Sequence, residues 1–318
     1  MIGLLKDTVY RDNMRGLLRM KNSSKLAIMA SAMALAACTT TAGNVAAQSA
    51  RPAPAAAASA TSVARIGNAP NINGVWQTMN TANWNLEPHS AAANPLERGD
   101  RLLGAIGAIP AGLGVVEGGA IPYKPEALAR LNENRAHLIT YDPEAACYLP
   151  GIPRATYMDM PFQIIQGDGD DILMAYEYAS ANRVINMEEV GVPPIDTWMG
   201  TSYGQWEGDT LVVTTLAQGP GLVKLPAGEM VEGVTWLDRA GNYLTNTATV
   251  TERFTPHGPD RMDYSVTIED PTVYTRPWTI SMPLYRRAEA NAQLLEFKCV
   301  PFSERLLYGD LIEETASN

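Results

Sequence analysis

Phe162-Gln163-Ile164-Ile165-Gln166, Gly167-Asp168-Gly169-Asp170 and Ile172-Leu173-Met174-Ala175-Tyr176-Glu177-Tyr178 read in order as strand, turn and strand. Both arms are rich in apolar, β-branched and aromatic residues, and the Gly-Asp repeat between them is turn chemistry. The same grammar recurs downstream. Arg183 to Met187 is a short strand. Ser202 to Trp206 and Thr210 to Thr215 flank the turn Glu207-Gly208-Asp209. Thr247 to Phe254 and Arg261 to Glu269 flank Pro256-His257-Gly258-Pro259, and Trp278 to Tyr285 and Leu294 to Cys299 complete the set.

About nine strands at hairpin spacing predict an all-β domain, an antiparallel barrel or sandwich. Upstream, Asn73-Gly74-Val75-Trp76-Gln77 starts the domain with a Gly-x-Trp, the pattern that opens the first strand of lipocalins. Val250, Glu252 and Phe254 do not alternate cleanly with Thr249, Thr251 and Arg253. Polar side chains facing a wet or ligand-lined lumen would explain this. One helix is expected, Pro125 to His137, with Pro in its first turn and Leu128 and Leu131 on its apolar face. The stretch from Trp84 to Gly119 is irregular. Its Gly-rich part, Gly104 to Gly119, lacks the Lys-Ser/Thr ending of a phosphate-binding loop.

The N-terminal part speaks about location. Arg15, Arg19, Lys21 and Lys25 precede an apolar run from Leu26 to Ala37, which ends in Leu35-Ala36-Ala37-Cys38. The run is too short to span a bilayer, which takes about 20 residues. A basic start, a short apolar core and small residues before a cysteine predict a lipoprotein signal, residues 1–37, cut before a lipidated Cys38. Ala46-Ala47-Gln48 offers an alternative cut that would give a soluble periplasmic protein. Translation from Met14 or Met20 would make the first residues upstream sequence. An Asp after the lipidated cysteine commonly retains a lipoprotein at the inner membrane, so Thr39 favours the outer membrane. Residues 38–70, rich in Ala, Thr, Ser and Pro, read as a disordered tether. The barrel domain is expected over 71–310, followed by a tail, 311–318.

Cleavage before Cys38 removes 6 of the 24 Lys and Arg and 2 of the 34 Asp and Glu, leaving a net charge of −14. Such a surface repels phosphate backbones, so no nucleic-acid partner is expected, and the lipid anchor is the only membrane contact foreseen. With Cys38 committed to lipid, Cys147 and Cys299 remain as a pair in an oxidising compartment. A disulfide between them is expected; two buried free thiols are the alternative.

Several blocks carry a resemblance: Trp84-Asn85-Leu86-Glu87-Pro88-His89, Cys147-Tyr148-Leu149-Pro150-Gly151-Ile152-Pro153-Arg154, Trp206 to Val213, Trp236-Leu237-Asp238-Arg239-Ala240-Gly241 and Thr275-Arg276-Pro277-Trp278. Over about Asn71 to Gly309 the chain resembles a family of exported bacterial proteins of unknown function, abundant in acidobacteria and sphingomonads. That resemblance implies a lipocalin-like barrel and an envelope location. It implies no activity.

Candidate chemistry is sparse. Of the three histidines, His257 lies in a hairpin turn and His137 ends a helix, where a cation suits the dipole. His89 follows Glu87-Pro88 beside Trp84, so Glu87 and His89 are an acid/base candidate, with a hydrogen-bonded loop plug as the alternative. Asp238-Arg239 is a second polar candidate, for orienting a ligand oxygen or for tying a loop to the barrel, and Tyr157 joins the catalytic set. Trp84, Arg154, Tyr176, Trp198, Trp236, Arg276 and Trp278 are candidates to line a cavity that stacks on an aromatic or terpenoid ring; core filling is the alternative. No His-x-His, His-Glu-x-x-His, Cys-x-x-Cys or Gly-x-Ser-x-Gly occurs, so neither a metal nor a cofactor is expected. Two readings follow. One is a lipid-anchored barrel that binds a small apolar or aromatic molecule. The other is a cofactor-independent lyase, isomerase or hydrolase working with acid/base residues in the same cavity.

Overall fold

A computed structural model describes residues 62–93, 108–169, 171–191, 193–224, 230–301 and 303. The signal segment, Cys38, most of the expected tether and the tail 311–318 lie outside the described residues. Nine strands form a closed barrel: β1 (Gly74–Gln77), β2 (Phe162–Ile165), β3 (Ile172–Tyr176), β4 (Asn182–Asn186), β5 (Thr201–Glu207), β6 (Thr210–Leu216), β7 (Thr249–Pro256), β8 (Arg261–Glu269) and β9 (Trp278–Arg286). Each strand pairs with its neighbours in sequence, and β9 returns to β1 through Tyr285 opposite Gln77.

The all-β barrel expected from the hairpins is therefore present, with one departure from a purely antiparallel ring. A closed ring of strictly alternating directions needs an even number of strands. Nine strands force one parallel neighbour pair, and it is β4 with β5. That seam is short, Ile185 opposite Ser202 and Asn186 opposite Tyr203. A parallel pair needs a long crossover, which the chain from Asn186 to Thr201 supplies.

The lumen is a packed core. On β8, Met262, Tyr264, Val266 and Ile268 point inward, and Asp263, Ser265 and Thr267 do not. On β7 the alternation that looks broken in the sequence is strict: Val250, Glu252 and Phe254 are all buried. Ile172, Met174 and Tyr176 enter from β3. The Phe254 and Tyr264 ring centroids lie 4.9 Å apart, and those of Phe162 and Tyr176 5.6 Å apart. A small barrel fills its interior in this way.

One ion pair sits inside that core. Arg183 on β4 donates from Nη1 and Nη2 to Glu252 at 2.6 and 3.0 Å, and the Tyr264 hydroxyl donates to the same carboxylate at 2.7 Å. Tyr264 is held far above its ordinary pKa by burial and by the Glu252 charge, so its hydroxyl stays a donor.

The Gly-x-Trp start has a steric reason. Trp76 is buried and its Nε1 donates to the Ile72 carbonyl at 2.9 Å. The Arg286 guanidinium covers the indole at 4.4 Å. A Cβ at Gly74, whose φ is +141°, would collide with that guanidinium.

Other elements refine the sequence reading. The expected helix is a 3-10 turn, Pro125–Ala127, running into α1 (Leu128–Ala136), with Leu131 and Asn134 buried. His137 breaks it, stacks on Tyr141 at 4.5 Å and is followed by a single turn, Leu138–Tyr141. Another buried turn, Arg154–Tyr157, was not foreseen. A small ribbon, Arg65–Ile66 with Ala69–Pro70, forms within the segment read as tether. Leu294 to Cys299, read as a strand, is an irregular strap. Its Cys299 is bonded to Cys147, with Cα atoms 5.9 Å apart across 152 residues of chain. No described helix is long and apolar enough to cross a membrane.

Candidate functional site

The site is built on loops outside the barrel wall. Asp238 opens a tight turn after the two-residue strand Thr235–Trp236. Its carboxylate accepts hydrogen bonds from the amides of Leu86 (2.9 Å), Ala240 (3.0 Å) and Asn242 (3.1 Å), and from the Asn242 side chain (2.6 Å). Burial pushes its pKa up to about 6 in spite of those donors. Asp238 thus stitches the turn to the Trp84–His89 loop. The next residue, Arg239, is held by its amide donating to the Asn83 carbonyl at 2.8 Å.

A chain of charges follows. Arg239 donates from Nε to Glu144 at 2.8 Å and also from Nη2, and its guanidinium lies 4.5 Å over the Trp84 ring. Arg154 also donates to Glu144, at 2.6 Å, and grips Asp142 with both terminal nitrogens at 2.7 and 2.9 Å. Its Nε donates to Asn83 at 2.9 Å. Glu144 is placed by its own turn, because its amide donates to the Asp142 carboxylate at 2.9 Å. Burial would raise the Glu144 carboxyl, but Arg239 and Arg154 outweigh it and hold the group below the usual carboxylate range.

This network borders a cavity of about 460 Å³. Trp84, His89, Arg135, Met160, Tyr178 and Phe297 mark its walls, and no residue of β1–β9 lines it. The strap supplies one wall. Phe297 packs on Tyr178 at 4.9 Å, and the Leu295 amide donates to Glu177 at 2.8 Å. The disulfide fixes Cys299 there, so the crosslink expected from cysteine counting also shapes the cavity.

His89 is fixed by its backbone, which exchanges two 2.9 Å hydrogen bonds with Gly112. A Cβ at Gly112 would strike the imidazole. His89 Nδ1 lies 2.8 Å from the Glu87 carbonyl, which can only accept, so Nδ1 carries the proton. Nε2 has no partner among the described residues. The Glu87 carboxylate accepts from the Ile121 amide at 2.9 Å instead of meeting His89.

The structure brings Trp84, His89 and Arg239 to one cavity and leaves Glu87 and Asp238 bonded to backbone amides. Tyr157 is buried and donates to the Leu237 carbonyl at 2.7 Å. Arg154, Tyr176, Trp236 and Trp278 are buried too, and Trp278 packs edge-on to Tyr274 at 5.3 Å. Arg276 is exposed and donates to the Pro277 carbonyl. Trp198 stacks on Tyr148 at 4.8 Å and lines a different cleft. His257 lies 2.7 Å from Asp263 on the exposed β7–β8 hairpin.

Sequence reasoning missed Asp142, Glu144, Arg135, Tyr178 and Phe297 at this cavity. An acid in a loop carries no local sign of burial. Among the described residues, no group of three or more His, Cys, Asp or Glu is placed to hold a metal ion. In comparisons with known proteins, no family model, no curated protein and no solved structure matches this chain.

Proposed function

We propose that the protein is an envelope lipoprotein that binds a small apolar or aromatic molecule. The binding place is the loop-side cavity under the strap, not the barrel lumen. The carrying observation is that cavity: about 460 Å³, with Trp84, Tyr178, Phe297 and Met160 as apolar walls and with Glu144 and Arg239, its charged neighbours, paired to each other. A volume of this order suits a compact ligand, and apolar walls with few oriented polar groups are the usual form of a small-molecule site. The guanidinium of Arg239, already stacked on Trp84 and paired with Glu144, supports a flat partner without demanding a charged one. The binding reading is favoured over the enzyme reading because the Glu87 and Asp238 carboxylates are spent on backbone donors.

Native mass spectrometry of the protein purified from its host tests this reading. The expected result is a retained apolar molecule, lost or weakened about tenfold in Trp84→Ala. A protein that emerges empty and takes up no hydrophobic fluorophore would refute it. The anchor is tested separately, by incorporation of labelled palmitate that Cys38→Ser abolishes.

A further inference from the structure

The parallel seam of the barrel leaves a second opening. We propose that it is a binding site for a neutral, hydroxyl-rich molecule of the sugar class. β4 and β5 pair at two positions only, so on the β5 side Asn182 to Val184 face a cleft, while their other edge pairs with β3. The cleft measures about 680 Å³, and its far wall is the stretch from Asp196 to Ser202. Two residues of its wall belong to the core: Arg183 is 5% exposed and Ser202 2%.

The chemistry of that wall selects the ligand. The charge of Arg183 is already cancelled by Glu252, so this residue of the wall offers an anion no free counter-charge. At the rim, Asp196 disfavours an anionic ligand, while the Asn182 side chain makes no hydrogen bond to the described residues. Trp198, backed by Tyr148 at 4.8 Å, gives a rigid aromatic surface that is still partly exposed, and its indole N–H has no acceptor among the described residues. An aromatic surface and an unspent amide, beside a guanidinium whose charge is cancelled, together match a ring with one C–H face and a rim of hydroxyls.

Titration calorimetry of the mature chain with glucose, N-acetylglucosamine, maltotriose and glucuronate tests the proposal. A neutral saccharide is expected to bind more tightly than glucuronate. Trp198→Ala and Asn182→Ala, each with an unchanged melting transition, are expected to weaken it about tenfold or more. Asp196→Asn is expected to narrow the gap between glucuronate and the neutral sugars. The proposal is overturned if no neutral saccharide of the panel binds, if glucuronate binds best, or if both Trp198→Ala and Asn182→Ala bind as the native chain does.

Discussion

The barrel lumen and the loop layer beside it bury the same chemistry to different ends. In the lumen, Arg183 meets one carboxylate, Glu252, and Tyr264 takes up more of that carboxylate's accepting capacity. The surrounding positions are packed and mostly apolar, with two buried hydroxyls, Ser202 and Thr215, each 3.4 Å from Arg183 Nη1. In the loop layer, Arg154 is shared between Asp142 and Glu144, and Glu144 is shared between Arg154 and Arg239. That chain ends at the partly exposed Arg239, on Trp84, at the edge of a cavity. Strand register fixes the lumen pair from both sides and leaves it little freedom. Loops, fixed by side chains and one crosslink, can hold charges around a cavity. The comparison teaches that a buried ion pair by itself does not mark a site; the space next to it does.

Breaking the lumen pair should have the largest effect. Glu252→Gln leaves Arg183 charged and unmatched, with an expected loss of about 3–5 kcal/mol. The double change Arg183→Met with Glu252→Leu should recover most of it, because the pair's attraction mainly offsets its own desolvation. Urea melts of the three proteins check this. A single variant within about 0.5 kcal/mol of the native chain would mean that the barrel accommodates the charge elsewhere.

The loop layer should answer to its crosslink. Removing the disulfide with Cys147→Ser and Cys299→Ser is expected to cost about 2–5 kcal/mol, since it frees a 152-residue separation in the unfolded chain. The strap should then be cut first in limited proteolysis, while the barrel strands keep their hydrogen-exchange protection. Equal loosening of both regions would erase the distinction between them.

A smaller effect should come from Asp238. Its folded-state pKa of about 6 lies above its ordinary 3.8, so the folded protein holds this proton more tightly. The stability it contributes is full below about pH 4 and is lost as pH rises through 6, by about 3 kcal/mol. Asp238→Asn should remove that dependence. Comparing denaturation midpoints of the two proteins at pH 4 and pH 7 isolates the group from the other acids. A difference of opposite sign would show that the donated hydrogen bonds outweigh burial.

Much of the fold was legible because hairpins are local. Glu207-Gly208-Asp209 states its turn within three residues, and β5 and β6 follow from it. Leu294 to Cys299 has the composition of a strand but forms none, because a closed barrel has no free edge to receive it. The parallel seam was not legible either, since it follows from the total number of strands. At the site, Trp84, His89 and Arg239 stood out as polar or aromatic residues in irregular segments. Phe297 and Tyr178 did not, because their meeting depends on the strap crossing the loop layer.

Composition and turn spacing determined by themselves that this is an all-β chain, and the cysteine count offered Cys147 and Cys299 as its pair. Those properties depend on neighbours in sequence or on simple parity. The direction in which Glu252 points, the partner it meets 69 residues away in Arg183, and the placing of the cavity outside the lumen were decided only in three dimensions. Each depends on how the ring closes, and closure is a property of all nine strands at once.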